Sequence, residues 1–212
     1  MKNIVFDLDG TLLDTSKGII ESVKYTAKTL GYPILSNDFF QCFIGPPIQA
    51  SFMRYYHCNE EEAQMAANIF REYYRNFALL KATAYEGIYE LCESLRHFGM
   101  GMAVATYKRE DYALSLLRNF HFDRFFSSMH GADNNNVMKK KDIIDLCLQD
   151  LHADTHNTVL VGDTENDAKG AFDAGISFIA VTYGFGFKSK KDVDKYNYIG
   201  IANKPFDILN YI

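Results

Sequence analysis

The chain has 212 residues, 48% hydrophobic and 23% charged, with a net charge of −5. That length buries a proper core and allows one large domain or one domain carrying a smaller insertion, and the composition is that of an ordinary soluble globular protein. The acidic balance removes any global electrostatic case for nucleic acid or an anionic membrane, so a bound anion has to be held by local groups.

The chain opens with an apolar run, Ile4-Val5-Phe6, interrupted by Asp7 and Asp9 before Gly10-Thr11. Apolar residues without alternation suit a strand covered on both faces, and Gly10-Thr11 ends it with a turn. Asp7 and Asp9 therefore belong at the carboxyl end of a central strand, the edge at which open α/β sheets place ligands. Taken alone, two acids that merely end a strand and cap the next element explain them equally well. The same acids break the early apolar run before it reaches the length of a signal peptide, and no later stretch is long enough to span a bilayer, so a cytoplasmic protein is the default expectation.

Ile19, Ile20, Val23, Ala27 and Leu30 follow at helical spacing, closed by Gly31 and Pro33. A second helix is expected from about Ser36 to Phe43, before Gly45-Pro46-Pro47 breaks the chain. Two more helices are expected, through Ile48, Phe52 and Tyr55 and through Ala63, Ala66, Ala67, Phe70, Tyr73 and Phe77. The stripe of Phe70, Tyr73, Tyr74 and Phe77 reads as core. With no convincing strand between Thr15 and Lys81, residues 15–81 are expected to form a small helical domain inserted into a core of residues 1–14 and 82–212.

From about Ala84 helices and strands alternate. Strands are expected at Met102–Ala105, Phe125–Met129, Thr158–Val161 and Ser177–Val181, with helices between them, one running from Glu165 to Ala174. This alternation implies a parallel sheet with right-handed crossovers: an open, doubly wound α/β fold of about five strands. The cysteines Cys42, Cys58, Cys92 and Cys147 form no close pair and read as reduced core residues. His152 and His156 are four apart without a third ligand, which makes a poor metal site.

Three further strand ends or helix starts carry polar groups: Thr106, the Lys139-Lys140-Lys141 run, and Gly162-Asp163 followed by Asp167. Gathered at one edge, they supply carboxylates, a hydroxyl and a cation, a donor set suited to Mg²⁺ and a phosphate. The ordered series Asp7-Leu8-Asp9-Gly10-Thr11, Thr106, Lys140 and Gly162-Asp163 with Asp167 resembles the four motifs of the haloacid dehalogenase-like (HAD) phosphohydrolase superfamily. Tyr85-Glu86-Gly87-Ile88, Val104-Ala105-Thr106 and Tyr183-Gly184-Phe185-Gly186 look like its phosphoglycolate phosphatase-like branch, in which the helical insertion is the cap.

The resemblance implies a Mg²⁺-dependent phosphatase acting on a small-molecule phosphate ester, as a monomer or homodimer. Asp7 would be the nucleophile and Asp9 the general acid and base. Thr106, Lys140, Gly10 and Tyr107 would bind the phosphoryl group, and Asp7, Asp163 and the Asp9 carbonyl the metal. Asp167 would orient the lysine or a metal-bound water. Lys140 is chosen by its spacing from Asp142-Ile143-Ile144, with Lys139 and Lys141 as alternatives, and no proline follows it. Tyr107 stands where relatives often have Ser or Asn. Gly45, Pro46 and Arg54 are the cap's specificity candidates, with His57, Arg71 and Arg75 behind them. A sugar phosphomutase and a catalytically silent phosphate-binding protein are the competing readings.

Overall fold

The computed structural model describes residues 1–34, 36, 39–40, 42–133 and 137–212. The chain divides into two compact units, residues 1–14 with 84–212 and residues 15–83.

The first unit is built on a six-stranded parallel sheet. Its strands are β1 (Asn3–Phe6), β4 (Gly101–Arg109), β5 (Ser128–Ala132), β6 (Thr158–Gly162), β7 (Ser177–Val181) and β8 (Gly200–Ala202), in the order β5-β4-β1-β6-β7-β8. Two short strands, β2 (Leu13–Asp14) and β3 (Thr83–Ala84), carry the chain out of this unit and back into it. Ile4, Val5 and Phe6 are fully buried, each contributing about 1.5–3 kcal/mol of apolar burial. β1 pairs with β4 on one side and β6 on the other, Phe6 standing opposite Val104 and Val161. Successive strands are thus laid down on opposite sides of β1, which opens a crevice at its carboxyl end.

The helices α4 (Ile88–His97), α5 (Glu110–Asn119), α6 (Lys140–Asp150) and α7 (Glu165–Ala174) make the crossovers, and a short α8 (Lys190–Val193) follows β7. α7 matches the expected span and stops at Gly175, whose left-handed φ of 72° ends the helix. The sheet departs from expectation in three places. β8 is a sixth strand whose three residues, Gly-Ile-Ala, carry no readable pattern. β5 begins three residues later than expected, because Phe125 and Phe126 enter an aromatic cluster in which Phe126 meets Phe6 edge-on at 5.9 Å. β4 runs three residues past Thr106, with its register to β5 shifting between Ala105 and Arg109.

The second unit contains α1 (Ser16–Thr29), α2 (Ile48–Tyr56), α3 (Glu60–Tyr73) and a π turn over Tyr74–Ala78. The expected helix from Ser36 to Phe43 includes residues 37, 38 and 41, which lie outside the described ones. Asn59 and Glu62 form a reciprocal capping box that starts α3. On α1 the small residues Gly18, Ser22 and Thr26 line a buried face. The Ser22 and Thr26 hydroxyls donate to the carbonyls of Gly18 and Ser22, so neither is orphaned. The π turn adds a residue to the helical repeat, with the Leu79 N–H donating to the Tyr74 carbonyl at 2.7 Å. Phe70 and Tyr74 stay buried as expected, while Phe77 is turned outward and is 65% exposed. Of the cysteines, Cys92 and Cys147 are buried, Cys58 is half-buried and Cys42 is exposed, so only two of the four are core residues.

A Cβ on Gly18 would sit 2.2 Å from the Ala78 carbonyl oxygen, a backbone atom of the π turn. Gly18→Ala is expected to destabilise the protein by about 1–3 kcal/mol despite the better helix propensity of alanine, measured as a lowered urea midpoint.

Candidate active site

Each strand that borders the crevice delivers one polar group to it. Asp7 follows β1 directly and is held to β6 by its N–H, which donates to the Val161 carbonyl at 2.9 Å. Asp163 follows β6, and Thr106 lies on β4. All three are buried, as are Lys140 at the start of α6 and Asp167 in the first turn of α7.

Of the three consecutive lysines, Lys140 is the one that reaches Asp7. Its ammonium group, 2% exposed, lies 2.6 Å from Asp7 Oδ1 and 2.7 Å from Asp167 Oδ1. Lys141 instead pairs with Asp145 one turn along α6. The stem of Lys140 crosses α7 at Gly170, where a Cβ would come within 2.5 Å of Lys140 Cγ. The other oxygen of Asp167 accepts hydrogen bonds from the Thr164 N–H and hydroxyl, so one carboxylate starts α7 and orients the lysine.

Asp163 Oδ2 accepts from the N–H groups of Phe185 (2.6 Å) and Gly186 (2.9 Å). Its Oδ1 is buried without a hydrogen-bond partner. Oxygens of Asp7, Asp163 and Asp167 lie within 4.8 Å of one another. An orphaned carboxylate oxygen among converging hard donors fits a divalent cation, and nitrogen and sulfur ligands take no part. The electrostatics agree. Burial raises Asp7 to about 8, against the opposing pull of Lys140, with Asp167 and Asp163 adding to the rise. Burial, then Asp167, raises Asp163 to about 7. Burial lowers the Lys140 ammonium, but Asp167 and Asp7 outweigh it and leave the group raised, hence cationic. The cluster therefore holds more negative charge than one lysine offsets.

Asp9 is half-buried, and its carboxylate is paired with Lys108 Nζ at 3.1 and 3.2 Å. Lys108 was not anticipated from the sequence. Its only signal is its position two residues after Thr106, on the same face of an extended strand. The clamp on Asp163 by residues 183–186 was likewise legible only as a family resemblance. The Gly10 N–H bonds the Leu13 carbonyl within the turn. The Tyr107 hydroxyl accepts the Lys140 backbone N–H at 2.7 Å. In the second unit Gly45, Pro46 and Arg54 are exposed, and the Arg54 guanidinium lies over the Tyr55 ring.

A parallel sheet with a buried Asp-Lys-Asp cluster at its switch point defines an open α/β protein whose ligand site lies at the carboxyl ends of its central strands. Residues 4–181 match the family model described as haloacid dehalogenase-like hydrolase. The chain is 36% identical to a 5'-nucleotidase of Pseudomonas aeruginosa over 87% of its own length and 84% of the relative's. It is 31% identical to the pyrophosphatase PpaX of Halalkalibacterium halodurans over 86% and 84%. A haloacid dehalogenase-like family hydrolase from Streptococcus pneumoniae superposes with a TM-score of 0.92 at 32% identity, over 100% of this chain and 98% of that one. The chain belongs to the haloacid dehalogenase-like hydrolase family. Among the described residues no helix is long and apolar enough to cross a membrane.

Because Asp163 is raised from 3.8 to about 7, its stability contribution is present below pH 4 and lost as pH rises towards 8. In metal-free buffer Asp163→Asn is expected to raise the melting temperature at pH 8 by clearly more than at pH 5, the difference vanishing only towards pH 4. The gain amounts to roughly 2–4 °C per kcal/mol relieved, read by thermal unfolding.

Proposed function

We propose that the protein is a Mg²⁺-dependent phosphatase that hydrolyses a small phosphate monoester through an aspartyl-phosphate on Asp7. The observation that carries this reading is the buried Asp7 carboxylate, set 2.6 Å from the Lys140 ammonium beside an Asp163 oxygen with no partner. A nucleophile, a fixed positive charge and a place for a cation thus stand at one strand end.

Asp7 attacks phosphorus in line with the leaving oxygen, and Asp9 donates its proton to that oxygen as the ester bond breaks. The Asp9 carboxylate then takes a proton from the water that cleaves the Asp7 acyl phosphate, so one acid serves both half-reactions. The Lys108 ammonium holds the Asp9 side chain in place between these steps. Lys140 offsets charge on the transferring group and keeps Asp7 from being repelled by Asp167. Thr106 supplies a hydroxyl at the phosphoryl oxygens, its Oγ1 also accepting the Lys108 N–H at 3.2 Å. The residues that would hold Mg²⁺ are Asp7, Asp163 and the Asp9 carbonyl. When bound, the ion neutralises the phosphate charge that would otherwise repel a carboxylate nucleophile.

The helical unit corresponds to the family's cap, and its specificity candidates are Gly45 and Pro46 in a loop and Arg54 on α2. The names of the relatives, a nucleotidase and a pyrophosphatase, support a small soluble substrate bearing a terminal phosphate. Asp7→Asn is expected to leave a folded protein whose hydrolysis of an aryl phosphate drops roughly a thousandfold or more. EDTA is expected to abolish the wild-type activity and added Mg²⁺ to restore it. Turnover retained in the Asn variant refutes the assignment.

A further inference from the structure

Helix α6 begins badly. Its cap position and first two helical residues are Lys139, Lys140 and Lys141, placing positive charge at the positive end of the helix dipole. A lysine side chain has no oxygen with which to accept a backbone N–H, so Lys139 cannot cap the helix as Ser, Thr, Asp or Asn would. Asp142 bonds back to the Lys139 N–H at 2.8 Å, which steadies the entry to the helix but does nothing for the N–H of Lys140. No proline presets the first turn. Yet this turn places an ammonium group, 2% exposed, between two carboxylates to within hydrogen-bond distance.

The missing acceptor comes from another element. Tyr107, on β4 directly after Thr106, turns its hydroxyl to the α6 start and accepts the Lys140 N–H at 2.7 Å. Its ring also lies near the other end of the same residue, 5.8 Å from Lys140 Nζ, within reach of a cation–π attraction. One side chain therefore holds Lys140 by its backbone and by its ammonium group. We propose that Tyr107 is the positioning residue of Lys140, an external cap on α6 that couples the strand bearing Thr106 to the helix bearing the lysine. The phenol does not have to touch substrate to act. The inference rests on the reading of Lys140 as the charge that offsets the transferring phosphoryl group.

Tyr107 is 39% exposed, so removing its hydroxyl opens no cavity and leaves the fold intact. The test compares the full-length wild type with Tyr107→Phe in two measurements. In amide hydrogen exchange followed by NMR, the Lys140 N–H is expected to be protected in the wild type and to exchange several-fold faster in the variant, with the amides of β1 and β6 unchanged. In steady-state hydrolysis of p-nitrophenyl phosphate with excess Mg²⁺, kcat is expected to fall roughly three- to tenfold with KM within twofold, as for one lost hydrogen bond acting on the transition state. An unchanged Lys140 exchange rate overturns the inference, as does a raised KM at constant kcat, which would make Tyr107 a substrate contact. If the wild type hydrolyses no aryl phosphate, the phosphatase reading is what fails, and the exchange measurement alone decides the role of Tyr107.

Discussion

The structure depends on one buried ammonium group. Lys140 bridges Asp7 and Asp167 out of contact with solvent, an arrangement whose desolvation cost is repaid only when both carboxylates are held in place. Every nearby feature serves that condition. Asp7 is fixed by the ladder to β6, Asp167 by its hydrogen bonds to Thr164, and the lysine stem by the absence of a side chain at Gly170. The geometry of the charged cluster and the packing of α6 against α7 are therefore the same interaction seen from two sides.

Around that bridge the charges are deliberately unequal. Three carboxylates face one lysine, and the imbalance shows in the raised Asp7 and Asp163 and in the unpartnered Asp163 oxygen. An apolar replacement would be more comfortable for the fold. A cation held among these carboxylates would relieve their mutual repulsion. Asp9 stands apart from this cluster. It is half-buried and paired with Lys108, which suits the proton-shuttling role proposed for it.

The sheet core was legible because periodicity and turn chemistry are local. Ile4-Val5-Phe6, the Thr158–Gly162 strand and the helix from Glu165 to Gly175 carry their assignments in their own residues. The errors fell where tertiary contacts override local pattern. Phe125 and Phe126 look like strand and are aromatic packing, Gly200–Ala202 looks like nothing and is an edge strand, and Phe77 leaves the buried stripe because the π turn changes the helical phase.

By itself the sequence determined the class of chemistry. Asp7 and Asp9 one residue apart, Thr106, a lysine run and Gly162-Asp163 with Asp167 are chemically specific, and their order along an alternating α/β chain brings them to one sheet edge. Which lysine reaches Asp7 was decided only by the tertiary structure, since the direction of a side chain at the start of a helix depends on how that helix is capped and what it packs against. The same holds for Lys108 on Asp9, the backbone clamp on Asp163 and the Tyr107 hydroxyl on α6. Each joins groups far apart in the chain, and no local rule of spacing encodes a contact of that kind.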